Sequence, residues 1–102
     1  MTVGTESEMK PTISHDEEQQ VFVATLPDHG QVGSLRYEVD TITMTIVSTV
    51  VNPNFNGRGY AAMLAQAAFE HAREQHWQVV PQCSYIDTFL SRNPQYGDLV
   101  VD

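Results

Sequence analysis

The first legible pattern is the apolar run Val21-Phe22-Val23-Ala24, which ends at the turn formers Pro27-Asp28-His29-Gly30 and so predicts a strand entering a hairpin. From Leu35 the chain alternates: Leu35, Tyr37 and Val39 are separated by Arg36 and Glu38, the period of a half-buried strand, and Asp40-Thr41 turns it. The next stretch, residues 42–51, is dense in β-branched side chains and sets Ile42, Met44 and Ile46 on one face. Its period of two slips at Val47 and Ser48, a slip that a β-bulge absorbs. Asn52-Pro53-Asn54 then breaks the strand.

After a turn containing Gly57 and Gly59, residues 60–75 predict a helix built from strong formers. Gln66, Glu70, Arg73 and Glu74 gather on one side and Ala61, Leu64, Ala65, Ala68 and Ala72 on the other, as for a helix packed on a sheet. Past Trp77, Val79 to Cys83 reads as a buried strand parallel to the one before the helix, the geometry of a βαβ connection. Ser84 caps a short helix, with Asp87 three residues on, and Asn93-Pro94 ends it. Residues 1–19 offer few apolar groups and read as a loose tail, leaving 20–102 as one domain. The class is α/β with α+β character: an antiparallel meander, a helix, a parallel strand and a short C-terminal helix.

Composition narrows what such a domain can do. With 102 residues there is one core, which any site must share. Thirteen acidic against five basic residues give a net charge of -8, which repels phosphate backbones, argues against nucleic-acid partners and favours a cationic substrate. The single cysteine, Cys83, permits no intramolecular disulfide, and there is no CxxC or Cys/His cluster. His15, His29, His71 and His76 read as separate surface residues, so no metal is expected. No apolar run nears the roughly 20 residues of a membrane span and no signal peptide is evident. The expectation is a soluble cytoplasmic protein, a monomer or a weak homodimer through an exposed edge strand.

Against this acidic background the segment Asn56-Gly57-Arg58-Gly59-Tyr60-Ala61 carries a cation between two glycines. A strand, a glycine turn and a helix start together make a phosphate site, because amides at the helix start face the anion with the helix dipole behind them. Neither Gly-Lys-Ser/Thr nor a third glycine in GxGxxG spacing is present, which excludes a Walker loop and a dinucleotide fingerprint. Taken alone, the turn suits equally a tight loop entering a helix.

Several ordered motifs together resemble the GNAT superfamily of N-acetyltransferases, and within it a small stand-alone subfamily. The superfamily's pyrophosphate turn has the form Gln/Arg-x-x-Gly-x-Gly/Ala; Gly59 and Ala61 match its last two positions and Asn56 stands at its first. The stretches Pro53 to Gly59, Val79-Val80-Pro81-Gln82-Cys83-Ser84-Tyr85 and Asn93-Pro94-Gln95-Tyr96-Gly97-Asp98-Leu99 are similar to three segments of the subfamily. The resemblance spans roughly residues 20 to 100 and implies a minimal GNAT fold with coenzyme A or acetyl-CoA in the cleft where the two parallel strands splay. It implies pyrophosphate on the N–H groups of Gly57 to Ala61, a pantetheine arm on backbone groups of Val50 and Val51, and a phosphate near Arg92, which also suits a simple C-terminal helix cation. The implied acceptor is an amine, on a small molecule or a protein. Where many members of the subfamily have His, Glu and Tyr, this chain has Ser48, Val50 and Phe89.

Cys83, between a strand and a helix start, stands where negative charge on sulfur is favoured, and the resemblance marks it as a catalytic candidate. It reads as general acid towards departing CoA, as acetyl-accepting nucleophile, or as a packed core thiol. Ser48 is either a proton-handling hydroxyl or a satisfied polar neighbour. Three functions remain open on these residues: an acetyltransferase, a CoA-binding module without turnover, and an interaction protein that keeps only the fold.

Overall fold

The computed structural model describes residues 10–101. The alternating segments form one five-stranded sheet in chain order: β1 (Thr12–Asp16), β2 (Val21–Leu26), β3 (Gly30–Asp40), β4 (Thr43–Val51) and β5 (Gln78–Pro81). Helix α1 (Tyr60–Gln75) connects β4 to β5, and α2 (Ser84–Arg92) follows β5. The strands β1 to β4 pair antiparallel, and β5 lies parallel to β4, as the βαβ pattern predicts.

Strand β1 corrects the expected tail. Thr12 to Asp16 pair with Thr25 to Val21, and the Asp16 carboxylate accepts the Gln19 amide at 3.0 Å in the connecting turn. Only Ile13 and His15 face inward, with Thr12, Ser14 and Asp16 exposed, so the strand is mostly polar and lacks a hydrophobic run. Residues 1–9 of that expected tail lie outside the described residues.

The core lies between the sheet and α1. Phe22, Ala24 and Leu26 on β2, Leu35 and Tyr37 on β3, and Met44 and Ile46 on β4 meet Leu64, Ala65, Ala68, Phe69 and Ala72 on the helix. The small alanine stripe lets the helix lie close. At Gly33 an added Cβ would come within 3.1 Å of the Val50 carbonyl oxygen and 3.3 Å of a Leu64 methyl.

The bulge falls where the sequence pattern slips. Arg36 pairs with Ser48 and Tyr37 with Ile46, leaving Val47 as the extra residue. Strand β5 pairs with β4 only from Thr43 to Ile46, so it ends at Pro81 rather than Cys83. The Gln82 and Cys83 amides both turn onto the Ile46 carbonyl, at 3.1 and 3.0 Å, and the chain leaves the sheet there. Cys83, not Ser84, is the N-cap of α2, and it makes no side-chain cap bond.

The chain end forms a clasp. Pro94 to Leu99 wind into a 3-10 turn on which Tyr96 donates its hydroxyl proton to Glu70, while Arg73 holds Asp98 at 3.2 Å and the Gln95 carbonyl at 3.1 Å. The Asn93 amide side chain closes the end of α2 on the Phe89 carbonyl at 3.0 Å. Phe69, Phe89 and Tyr96 pack ring on ring, and Val101 donates to Val79, covering the outer edge of β5. Among the described residues no helix is long and apolar enough to cross a membrane.

Candidate functional site

Past the bulge β4 has no β5 partner, and a cavity of about 380 Å³ lies against its unpaired half. Its walls come from four places: Thr49 and Val51 on β4, the turn at Asn56 to Gly59, the start of α1 at Tyr60 to Ala62, and Tyr85 and Arg92 on α2.

The β4 wall is mainly a backbone wall. Before the bulge Ile42 and Ile46 turn their carbonyls to β5, accepting from Gln78 at 2.7 Å and Gln82 at 3.1 Å. The inserted Val47 reverses that phase. Asn52 donates to the Val32 carbonyl at 2.8 Å, so alternation turns Val50 to β3 as well and leaves the N–H and C=O of Thr49 and Val51 facing the side that β5 has vacated. Val51 thus stands where it was expected, whereas Val50 does not: its backbone serves β3 and its side chain, 59% exposed, lies on the sheet face away from α1. Thr49 takes its place. Ser48, opposite the exposed Arg36, also lies on that other face, away from the cleft.

The turn supplies the second wall. A 3-10 turn at Pro53–Phe55, capped by the Asn52 side chain on the Asn54 amide at 2.9 Å, leads into Gly57 at φ 79° and Gly59 at φ 83°. Both lie in the left-handed region that side chains with a Cβ disfavour. Gly59 is the N-cap of α1 and offers no side-chain acceptor, and the first turn contains no acid. The Met63 amide makes its helical bond to Gly59 at 3.1 Å, so the amides of Ala61 and Ala62 precede that bond and keep the positive end of the dipole open towards the cleft. Arg58 lays its guanidinium over the Phe55 ring, 5.2 Å from its centroid, and Phe55 is itself a cleft wall. Arg92 enters from the last turn of α2, so the cation expected at the helix end is also a cleft residue.

Cys83 sits where the two strands part. It is half-buried, with its sulfur 3.6 Å from the Thr49 hydroxyl, and Thr49 in turn lines the cleft. Beside it Tyr85 presents a phenol. Burial pushes the Tyr85 pKa above its ordinary 10.0, with Arg92 opposing and Cys83 adding to the shift, so the group is a neutral hydroxyl donor at physiological pH. Phe89, one helical turn further on, is buried against Phe69 and Tyr96, and the tyrosines that line the cleft are Tyr60 and Tyr85. Thr49, Phe55, Ala62 and Tyr85 are the walls that sequence reasoning missed. The bulge was the available signal for Thr49, since it reverses which residues of the strand look inward.

The histidines do not behave as four separate surface residues. His29 rests on Phe55 with ring centroids 5.1 Å apart, and His76 ends α1 in the left-handed region at φ 63°. His15 and His71, however, meet edge to face at 4.5 Å, a contact between β1 and α1 that sequence separation concealed.

With this geometry in view, the chain can be set beside known proteins. Residues 21–99 match the GCN5-related N-acetyl-transferase family. Protein NATD1 of Xenopus tropicalis is 31% identical over 83 residues, 80% of this chain and 76% of that protein. A GCN5-like protein from Staphylococcus aureus, solved by NMR, superposes with a TM-score of 0.69 at 24% identity over 88% of this chain and 87% of its own. Rv2747 from Mycobacterium tuberculosis, a crystal structure in complex with CoA and NLQ, superposes with a TM-score of 0.53 at 26% identity over 60% of this chain and 39% of its own. The matched region contains the bulged strand, the glycine turn and both helices, and the chain belongs to the GCN5-related N-acetyltransferase family, whose members use acetyl-CoA.

Proposed function

We propose that this protein transfers an acetyl group from acetyl-CoA to an amine, in the cleft between the separated ends of β4 and β5. The observation that carries the reading is that the strand loses its partner at Val47 and opens onto an uncapped helix start behind two left-handed glycines. Acetyl-CoA supplies an activated thioester. The amides from Gly57 to Ala61 bind its pyrophosphate, helped by the dipole of α1, and Arg92 offers a cation from the facing helix. The exposed N–H and C=O groups of Thr49 and Val51 pair with amides of the pantetheine arm, as an added strand would. That pairing directs the thioester towards Cys83 and Tyr85. An N–H of β4 past the bulge stabilises negative charge developing on the thioester oxygen, and Cys83 assists proton transfer to the departing thiolate, with the neutral Tyr85 hydroxyl beside it. A net charge of -8 favours an acceptor that arrives as a cationic amine, on a small molecule or a protein, and gives a proton to water so that its nitrogen lone pair can attack the thioester.

A second reading, a CoA-binding module without turnover, has one observation in its favour: no carboxylate or imidazole is among the described walls of the cleft. Calorimetric titration with CoA and with acetyl-CoA tests the binding that both readings share. Saturable binding at one site per chain is expected, and no heat with no thermal shift would refute both. Acetyl transfer across an amine panel then separates the two, because binding without product would select the module.

A further inference from the structure

We propose that His15, Glu17 and His71 bind a divalent transition-metal cation of the zinc type, which fastens the edge strand β1 and its turn to helix α1. One ligand atom from each of the three lies within 4.8 Å of the other two. They come from three places in the chain, β1, the turn after it and the C-terminal half of α1. The location is independent of the acetyl-transfer cleft: His71 stands roughly 16 Å along the helix axis from Tyr60.

The two imidazoles are already held in place. His15 stacks on Phe22 with centroids 4.0 Å apart and planes 7° from parallel, and its Nε2 is hydrogen-bonded to the Tyr37 hydroxyl. His71 packs edge-on against Trp77 at 5.2 Å, and its side chain is only 15% exposed. Glu17 is the movable member, 76% exposed, with its Oε2 4.0 Å from His71 Nε2. Zinc–nitrogen bonds of about 2.0–2.1 Å require tetrahedral ligands roughly 3.3 Å apart, so the cluster must contract, and a carboxylate on an exposed turn can supply much of that movement. A cavity of about 280 Å³ bounded by Glu17, Tyr37, His71 and Trp77 gives the ion a route in and room for water at its remaining coordination position.

The donor set selects the ion. Two imidazoles and one carboxylate suit zinc and its neighbours in the transition series, whereas magnesium and calcium favour oxygen throughout. For β1, which pairs with β2 alone, such an ion would add a tie to the helix across the top of Phe22.

Zinc chloride titrated calorimetrically into the chelator-treated full chain tests the site, together with thermal melts with and without zinc. One zinc per chain and a melting temperature raised by zinc and returned by EDTA are the expected results. Glu17→Gln, on an exposed turn that leaves the core intact, is expected to weaken binding at least about tenfold, and His71→Gln more. His76→Asn, at the exposed end of α1, should change nothing. The proposal is overturned if wild-type protein shows no stoichiometric end point, or if Glu17→Gln and His71→Gln bind zinc as tightly as wild type.

Discussion

The two halves of β4 meet different surroundings. From Thr43 to Ile46 the strand is paired on both sides, with β3 and with β5, and Met44 and Ile46 are fully buried. From Ser48 to Val51 it keeps only β3. One inserted residue, Val47, separates a stretch that serves the core from a stretch that borders the open cleft. The cleft therefore depends on where backbone pairing stops more than on dedicated side chains. Ser48 and Val50 lie on the far face of the sheet and Phe89 is buried in the core, so none of the three borders the cleft.

The largest effect is expected at the turn that closes the open half of β4. An added Cβ at Gly59 meets no atom within 4 Å, so a substitution there acts through its φ of 83° alone. A β-branched residue in that region costs about 1–3 kcal/mol, and the turn relieves the strain by leaving the conformation that aims its amides at the cleft. Gly59→Val is expected to take CoA binding from saturable to undetectable by calorimetry while the protein still melts cooperatively. Retained affinity would mean that the ligand does not use this turn.

A smaller effect is expected where the two halves join. Cys83 bonds to Thr49 through its side chain and to Ile46 through its backbone, so it touches the last paired and the first open part of β4. If its thiol handles a proton, Cys83→Ala lowers kcat by about a hundredfold and changes CoA affinity less than threefold. Steady-state kinetics beside calorimetry separates the two quantities. Unchanged kcat would return Cys83 to the packing role that half-buried thiols commonly have.

Legibility in the sequence follows the same division. Elements whose side chains alternate against the core, β2 to β4 and α1, could be read from hydrophobic period, and so could the place of the bulge. Strand β1 could not, because pairing on one edge with two inward residues leaves almost no hydrophobic signal. The glycine turn was visible as glycines, yet which β4 residues border the cleft was not: a one-residue insertion reverses the phase, so Thr49 and Val51 line it while Val50, named with Val51 from the sequence, turns to β3. The cap of α2 moved from Ser84 to Cys83 because β5 ended early on the Ile46 carbonyl. The meeting of His15 with His71 depends on tertiary packing alone, for which local spacing holds no signal.

In the closing segment Asn93 to Leu99, by contrast with the open half of β4, the polar groups are spent on structure. Tyr96 is buried at 3% exposure and gives its proton to Glu70, an exposed carboxylate that water can serve in its place. Removing that bond with Tyr96→Phe is expected to cost about 1 kcal/mol at neutral pH, a fall of several degrees in Tm, with CoA affinity unchanged. The alkaline limb provides the sharper reading. Burial first, and then the Glu70 hydrogen bond and charge, raise the Tyr96 pKa above 10.0, so folding favours the neutral phenol. In the unfolded chain that phenol ionises near its ordinary value. Its contribution is therefore complete below pH 10 and is lost as pH rises through the folded pKa. Tyr37 and Tyr85 are shifted the same way and keep their alkaline slope in the variant, so the difference between the two proteins isolates Tyr96. Melting curves from pH 7 to 11 should show the gap between wild type and Tyr96→Phe closing above pH 10. A gap that stays constant would mean that the Tyr96 hydroxyl titrates alike in the folded and unfolded chains, so that neither burial nor the Glu70 bond favours its neutral form.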